Sequence, residues 1–109
     1  MALHHLDSGE MANLLNQGGD ALSTQSVALF KSEQLEVIRL RLPLGKGMPM
    51  HQVPGEITVQ CLEGVIDFET PEGVQRLQAG QLLFLRGGVP HSLLAAEDAS
   101  VLVTIVLVH

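Results

Sequence analysis

From residue 26 onward, hydrophobic and polar residues alternate along most of this chain, and a period of two marks a half-buried β-strand. Leu35 to Leu44 shows it most cleanly. Ile38, Leu40 and Leu42 share one face and Arg39 and Arg41 the other, which predicts a strand with a wet outer face. Ser26 to Lys31 alternates weakly before it. Ile57 to Leu62, Val65 to Thr70, Val74 to Ala79, Gln81 to Arg86 and His91 to Ala95 read as further short strands. Between them stand Glu63-Gly64, Thr70-Pro71-Glu72-Gly73, Ala79-Gly80 and Gly87-Gly88-Val89-Pro90, all turn-forming sequences. Gly45, Gly47, Pro49, Pro54 and Gly55 fall within eleven residues. They predict a loop, because proline has no N–H to give a central strand. Val101 to Val108 is apolar on both faces, so it is expected to be covered twice, by the core and by a partner subunit.

Residues 1–24 follow another pattern. Asp7-Ser8-Gly9-Glu10 predicts the cap of a short helix, with Met11, Leu14 and Leu15 on one face and Asn16-Gln17-Gly18-Gly19-Asp20 as its stop. The expected organisation is an N-terminal arm over 1–24 that docks on an edge or end of one β-domain over 25–109. His4 and His5 lie in that arm and are expected to be solvated. About eight short strands at regular spacing, with no βαβ pattern, predict an all-β antiparallel sandwich or barrel.

Composition narrows the possibilities. A chain of 109 residues builds one core and one domain. Its 46% hydrophobic residues exclude disorder and leave a surplus that a homodimer interface would absorb. Twelve acidic residues against six basic ones give a net charge of −6, which speaks against nucleic acid and anionic membrane as partners. No apolar run approaches the ~20 residues of a membrane-spanning helix. A single cysteine, Cys61, fits a reducing compartment and predicts a cytoplasmic protein. With no Trp and no Tyr, no phenol is available as an acid or base.

The period-two pattern also selects the candidate chemistry. Counting from His51 to Cys61, the residues His51, Val53, Ile57, Val59 and Cys61 share one face, directed into the barrel. His91 opens a later strand and is the second imidazole able to reach that interior. Met48 and Met50 sit just before His51 and are expected to line the mouth as flexible apolar groups. Cys61 itself reads as a small buried hydrophobe. Glu63, Asp67, Glu69 and Glu72 alternate with apolar residues and predict a solvated face.

Two motifs now carry a family resemblance. Gly45-x5-His51-x-Val53-x3-Ile57-x6-Gly64 resembles the first motif of the cupin superfamily, usually G-x5-H-x-H-x3-E-x6-G. Gly80-x5-Arg86-x-Gly88-x2-His91-x3-Ala95 resembles the second, G-x5-P-x-G-x2-H-x3-N. The spacing is similar to that of small RmlC-like cupins and covers residues 35 to 107. The resemblance implies an all-β antiparallel jelly-roll β-barrel whose interior binds Fe, Mn, Ni or Zn through three His and one Glu. Carried over to this chain, His51 and His91 keep two of those ligand positions, while Val53 and Ile57 replace the other His and the Glu. Valine and isoleucine have no lone pair to give, so the implied metal site is degenerate: no metal, or a weakly bound divalent transition metal. Glu56 lies one residue from the Glu position and reaches the interior as a third ligand only if a bulge at Pro54-Gly55 turns it inward.

These observations define two expectations. The first is a cupin that binds or senses a small organic molecule, with His51 and His91 as polar anchors in an apolar pocket that favours an anion when either ring is protonated. The second is a metal-dependent cupin enzyme, of the dioxygenase, isomerase or decarboxylase kind, using His51 and His91 as ligands.

Overall fold

Each alternating segment needs a second apolar face to bury against, and the chain meets that need by stacking two antiparallel sheets. A computed structural model describes residues 5–15 and 26–109. The strands are β1 (Val27–Lys31), β2 (Leu35–Leu42), β3 (Gly47–His51), β4 (Ile57–Glu63), β5 (Val65–Thr70), β6 (Gly73–Gln78), β7 (Leu82–Leu85), β8 (His91–Ala95) and β9 (Ala99–Val106). One sheet runs β1-β2-β9-β4-β7 and the other β3-β8-β5-β6, an all-β jelly roll. The inward residues meet in one apolar core. Ile57, Val59 and Cys61 of β4 and Ala99, Val101 and Val103 of β9 come from the first sheet; Ile66 and Phe68 of β5, Leu77 of β6, and Leu93 and Ala95 of β8 come from the second.

Turn chemistry sets the register. Pro71-Glu72 closes the β5–β6 hairpin between paired Thr70 and Gly73, and the Glu72 N–H donates to Thr70 Oγ1 at 3.2 Å. Gly64 joins β4 to β5 at φ 77°, and a Cβ there would run into the Asp98 carbonyl. Only glycine tolerates both conditions.

Four expectations change. First, residues 5–15 contain no helix. The reciprocal bonds of a helix start are present, Glu10 N–H to Asp7 O at 3.0 Å and Asp7 N–H to Glu10 Oε1 at 2.8 Å. Gly9, however, sits at φ 89°, outside helical space. Met11 and Leu15 are exposed, so their spacing finds no surface to bury and nothing propagates the turn. The arm meets the β1 edge where the Leu6 N–H donates to Leu29 O at 2.8 Å. The Asn16–Asp20 stop, His4 and the boundary at 24/25 lie outside the described residues.

Second, the proline-rich loop contains a strand. Gly47–His51 pairs with β8, and Pro49 fits there because β3 is an edge and the ladder shifts between Met48 and His51. Third, the outer face of β2 is not wet: Arg39 is buried, flanked by Val27 of β1 and Leu102 of β9. Arg41 beside it donates to Ser100 Oγ at 3.1 Å. Fourth, the bounds of the C-terminal strand move: it runs Ala99–Val106 as the central strand β9 rather than Val101–Val108, with Leu102 and Thr104 half-buried on its outer side.

Candidate functional site: an imidazole pair in an apolar cavity

The β3–β8 pairing brings two histidines together. His51 ends β3, His91 begins β8, and they stand opposite each other in the ladder. Two loops hold them there. The Gly88 N–H donates to Val53 O at 2.7 Å, stitching the segment after His51 to the turn before His91. Gly87 lies so close to the Pro54 carbonyl that a Cβ would collide with it, so the loop contact itself requires glycine.

Both rings are tied in the same way. His51 Nδ1 lies 2.9 Å from Pro49 O and His91 Nδ1 lies 2.9 Å from Val89 O. A carbonyl oxygen only accepts, so each Nδ1 carries the hydrogen. In the neutral ring, each Nε2 is then a bare acceptor. The ring centroids are 4.3 Å apart and tilted by 57°. Phe68 also stacks on His91, with centroids 5.5 Å apart and an interplanar angle of 10°. His91 is 3% exposed, whereas His51 is half-buried at the open side.

The rings border a cavity of about 60 Å³. The rest of its wall is hydrocarbon and one thioether: Ile38 and Leu40 of β2, Met48 of β3, Val53, Ile57 and Val59 of the β4 region, Leu93 of β8, and Val103 and Ile105 of β9. Among the described residues, no Asp, Glu, Lys or Arg lines it. Of the residues singled out by the sequence pattern, the structure gathers His51, His91, Val53, Ile57 and Val59. Met50 and Cys61 are not in the wall. Met50 points outward from the edge strand and is 49% exposed, and Met48, two residues earlier, takes the inward position. Cys61 is on the inward face but farther along β4, in solid packing at 0% exposure, with its Sγ 3.4 Å from the carbonyls of Glu63 and Gly64. Burial pushes its thiol pKa up, only partly offset by the Glu63 carbonyl contact. Ile38 and Leu40 had the right parity, but their meeting with β3 and β8 is a tertiary event. Leu93, Val103 and Ile105 share that signal.

The donor set does not fit a four-ligand metal centre. The wall offers two nitrogen donors and no carboxylate or thiolate, and Val53 and Ile57 present hydrocarbon where the cupin pattern has His and Glu. Glu56 does not supply the difference, because no bulge turns it inward. It is exposed, and its carbonyl receives the Val106 N–H at 2.9 Å. Among the described residues, no group of three or more His, Cys, Asp or Glu side chains is placed to hold a metal ion.

No protein-family model matches the sequence, and neither does any curated protein. Solved structures do. A conserved protein of unknown function from Streptococcus pyogenes is similar over 99% of this chain and 98% of its own, at 22% identity and a TM-score of 0.75. A cupin superfamily protein from Desulfitobacterium hafniense matches 91% of this chain and 100% of its own, at 13% identity and a TM-score of 0.75. An RmlC-like cupin from Desulfovibrio desulfuricans covers 97% and 96%, at 26% identity and a TM-score of 0.69. Among the described residues, no helix is long and apolar enough to cross a membrane. With two antiparallel sheets in jelly-roll order, both glycine–histidine motifs in register and these matches over nearly the whole length, the chain belongs to the cupin superfamily.

Proposed function

We propose that this cupin binds a small organic molecule inside its barrel and uses it as a ligand rather than turning it over at a metal centre. The observation that carries the reading is the wall composition: among the described residues, two imidazoles are the only polar side chains in an otherwise apolar cavity. A few convergent polar groups in an apolar concavity are the usual anatomy of a small-molecule site. The test is methyl-detected NMR of the protein titrated with a set of small fragments. Signals of Ile57, Leu93 and Ile105 at the cavity are expected to move, while Ile66 and Val101 in the solid core stay still. Binding that shifts none of the cavity methyls overturns the reading.

One observation favours a second reading. A ring N–H tied to a backbone carbonyl is the arrangement found behind metal-bound imidazoles, and both histidines have it. Two such rings would hold a divalent transition metal weakly. Elemental analysis of tag-free protein beside the His51→Ala, His91→Ala double variant decides between the two. Near-stoichiometric metal lost in the variant would favour the metal-dependent enzyme.

The same proposal places the protein in the cytoplasm as a homodimer. The lone Cys61 supports the compartment, and exposed Leu82 and Phe84 on the edge strand β7 support the dimer. Sedimentation equilibrium reads the oligomeric state.

A further inference from the structure

The chemistry of the cavity narrows what it accepts, and the inference drawn from it rests on the ligand-binding reading above. Four properties of the wall act together. Charge is the first. Among the described residues, no Asp, Glu, Lys or Arg lines the cavity, so a carboxylate or ammonium entering it would lose hydration with no counter-charge to replace it. Hydrogen-bond polarity is the second. With both Nδ1–H groups given to backbone carbonyls, the neutral rings show the cavity only acceptors. A ligand must therefore bring donors, and a carboxylate brings none.

Number is the third property. His91 is only 3% exposed, yet its Nε2 is not among the enclosed polar atoms that lack a partner. No described residue is hydrogen-bonded to it, so that nitrogen is open to the cavity. His51 brings a second acceptor from a ring 4.3 Å away, and the pair asks for two donors on neighbouring atoms. Size is the fourth. A cavity of about 60 Å³ corresponds to roughly four to six water-sized positions at 10–15 Å³ each.

We infer that the cavity selects small neutral vicinal diols, compounds of about five non-hydrogen atoms in which adjacent hydroxyls donate to the Nε2 atoms of His51 and His91. The short hydrocarbon remainder lies against Ile57, Leu93, Val103 and Ile105. A single alcohol satisfies one imidazole and leaves the other bare. An ammonium supplies donors but buries an uncompensated charge.

The experiment uses the intact protein at mildly alkaline pH, with the cavity methyls as the NMR readout. The probes are xenon, propylene glycol, n-propanol, propionate and n-propylammonium. Propylene glycol is expected to bind about fivefold tighter than n-propanol, the increment of one added hydrogen bond, and the two ions are expected to bind more weakly than either. His51→Leu should erase the advantage of the diol over the alcohol while xenon still enters. If propionate or n-propylammonium binds as well as the diol, or the diol matches n-propanol, the diol inference is overturned and the binding site stands. If even xenon fails to move the cavity methyls, the cavity reading falls, and the diol inference falls with it.

Discussion

The two ends of the barrel are built from the same strands and have opposite fillings. On β4, Ile57 and Val59 border the cavity and Cys61 lies in solid core; on β9, Val103 and Ile105 border it while Ala99 and Val101 do not; on β8, His91 and Leu93 border it and Ala95 does not. The filled end holds Cys61, Ile66, Ala99 and Val101 at 0% exposure and Phe68 and Ala95 at 1%. Side-chain volume explains the difference. At the filled end, small residues (Ala95, Ala99, Cys61) let the sheets close around Phe68 and Ile66. At the other end, a cavity remains between His51, His91 and Leu93 of one sheet and Ile57, Val59, Val103 and Ile105 of the other. One end supplies stability and the other supplies space.

The comparison breaks most sharply at Cys61. A thiol enclosed in the filled end, with its pKa pushed up by burial, should react with a disulfide reagent about two orders of magnitude more slowly than a free thiol, and at full rate only once the protein unfolds. Rapid labelling of the native protein would mean that the cavity extends to it. Next in size is Phe68→Ala. Removing this ring from the closed end is expected to cost about 3–5 kcal/mol in urea unfolding, a large part of the about 5–15 kcal/mol that holds a domain of this kind together. A loss under about 1 kcal/mol would show that the filled end is not the stabilising one.

A pair of one-methylene additions sharpens the contrast further. Val101→Ile has nowhere to place the extra carbon and is expected to cost about 1–3 kcal/mol. Val103→Ile, one inward step along the same strand, extends into the cavity and is expected to range from neutral to about 1 kcal/mol more stable. Equal effects at the two positions would remove the distinction between the ends. The smallest effect belongs to neither end. On the outer face of β5 and β6, Arg76 Nε donates to Asp67 Oδ1 at 2.9 Å. That hydrogen bond holds the Asp67 carboxyl below its ordinary range, with the guanidinium charge adding to it and desolvation opposing. A carboxyl with a lowered folded pKa contributes stability above its ordinary value of about 4, and the contribution is lost as pH falls through the lower folded value. Asp67→Asn should therefore lower the Tm slightly at neutral pH, with the difference vanishing in strong acid. A difference that grows in acid would have the wrong sign. The pair is exposed, which is why it ranks last.

How far the site was legible follows the same line. Parity is local, because each residue turns the side chain to the opposite face, and so it correctly sent His51, Val53, Ile57 and Val59 inward. It carries no information about depth along a strand, and for that reason Cys61 shares their face but not their cavity. On the edge strand β3, parity counted from His51 turns both Met48 and Met50 outward, and the shift in its ladder between Met48 and His51 is what brings Met48 inward. The helix expected after Asp7 shows the converse. Its cap bonds form locally, but a helix needs a surface to bury its apolar face, and exposed Met11 has none.

The sequence alone determined an all-β antiparallel sandwich or barrel, because alternation and glycine–proline turns act over a few residues at a time, and its motif spacing implied the jelly roll. It also determined which two histidines stand in motif register, and that hydrocarbon occupies the other two ligand positions. Tertiary structure decided what depends on residues far apart in the chain: the pairing of His51 with His91 across β3 and β8, the burial of Arg39 on a face that reads as wet, and the division of one interior into a filled end and a hollow one. Volume is the physical reason. Which face a side chain takes is a property of its own strand, but whether space remains beside it depends on every strand that surrounds it.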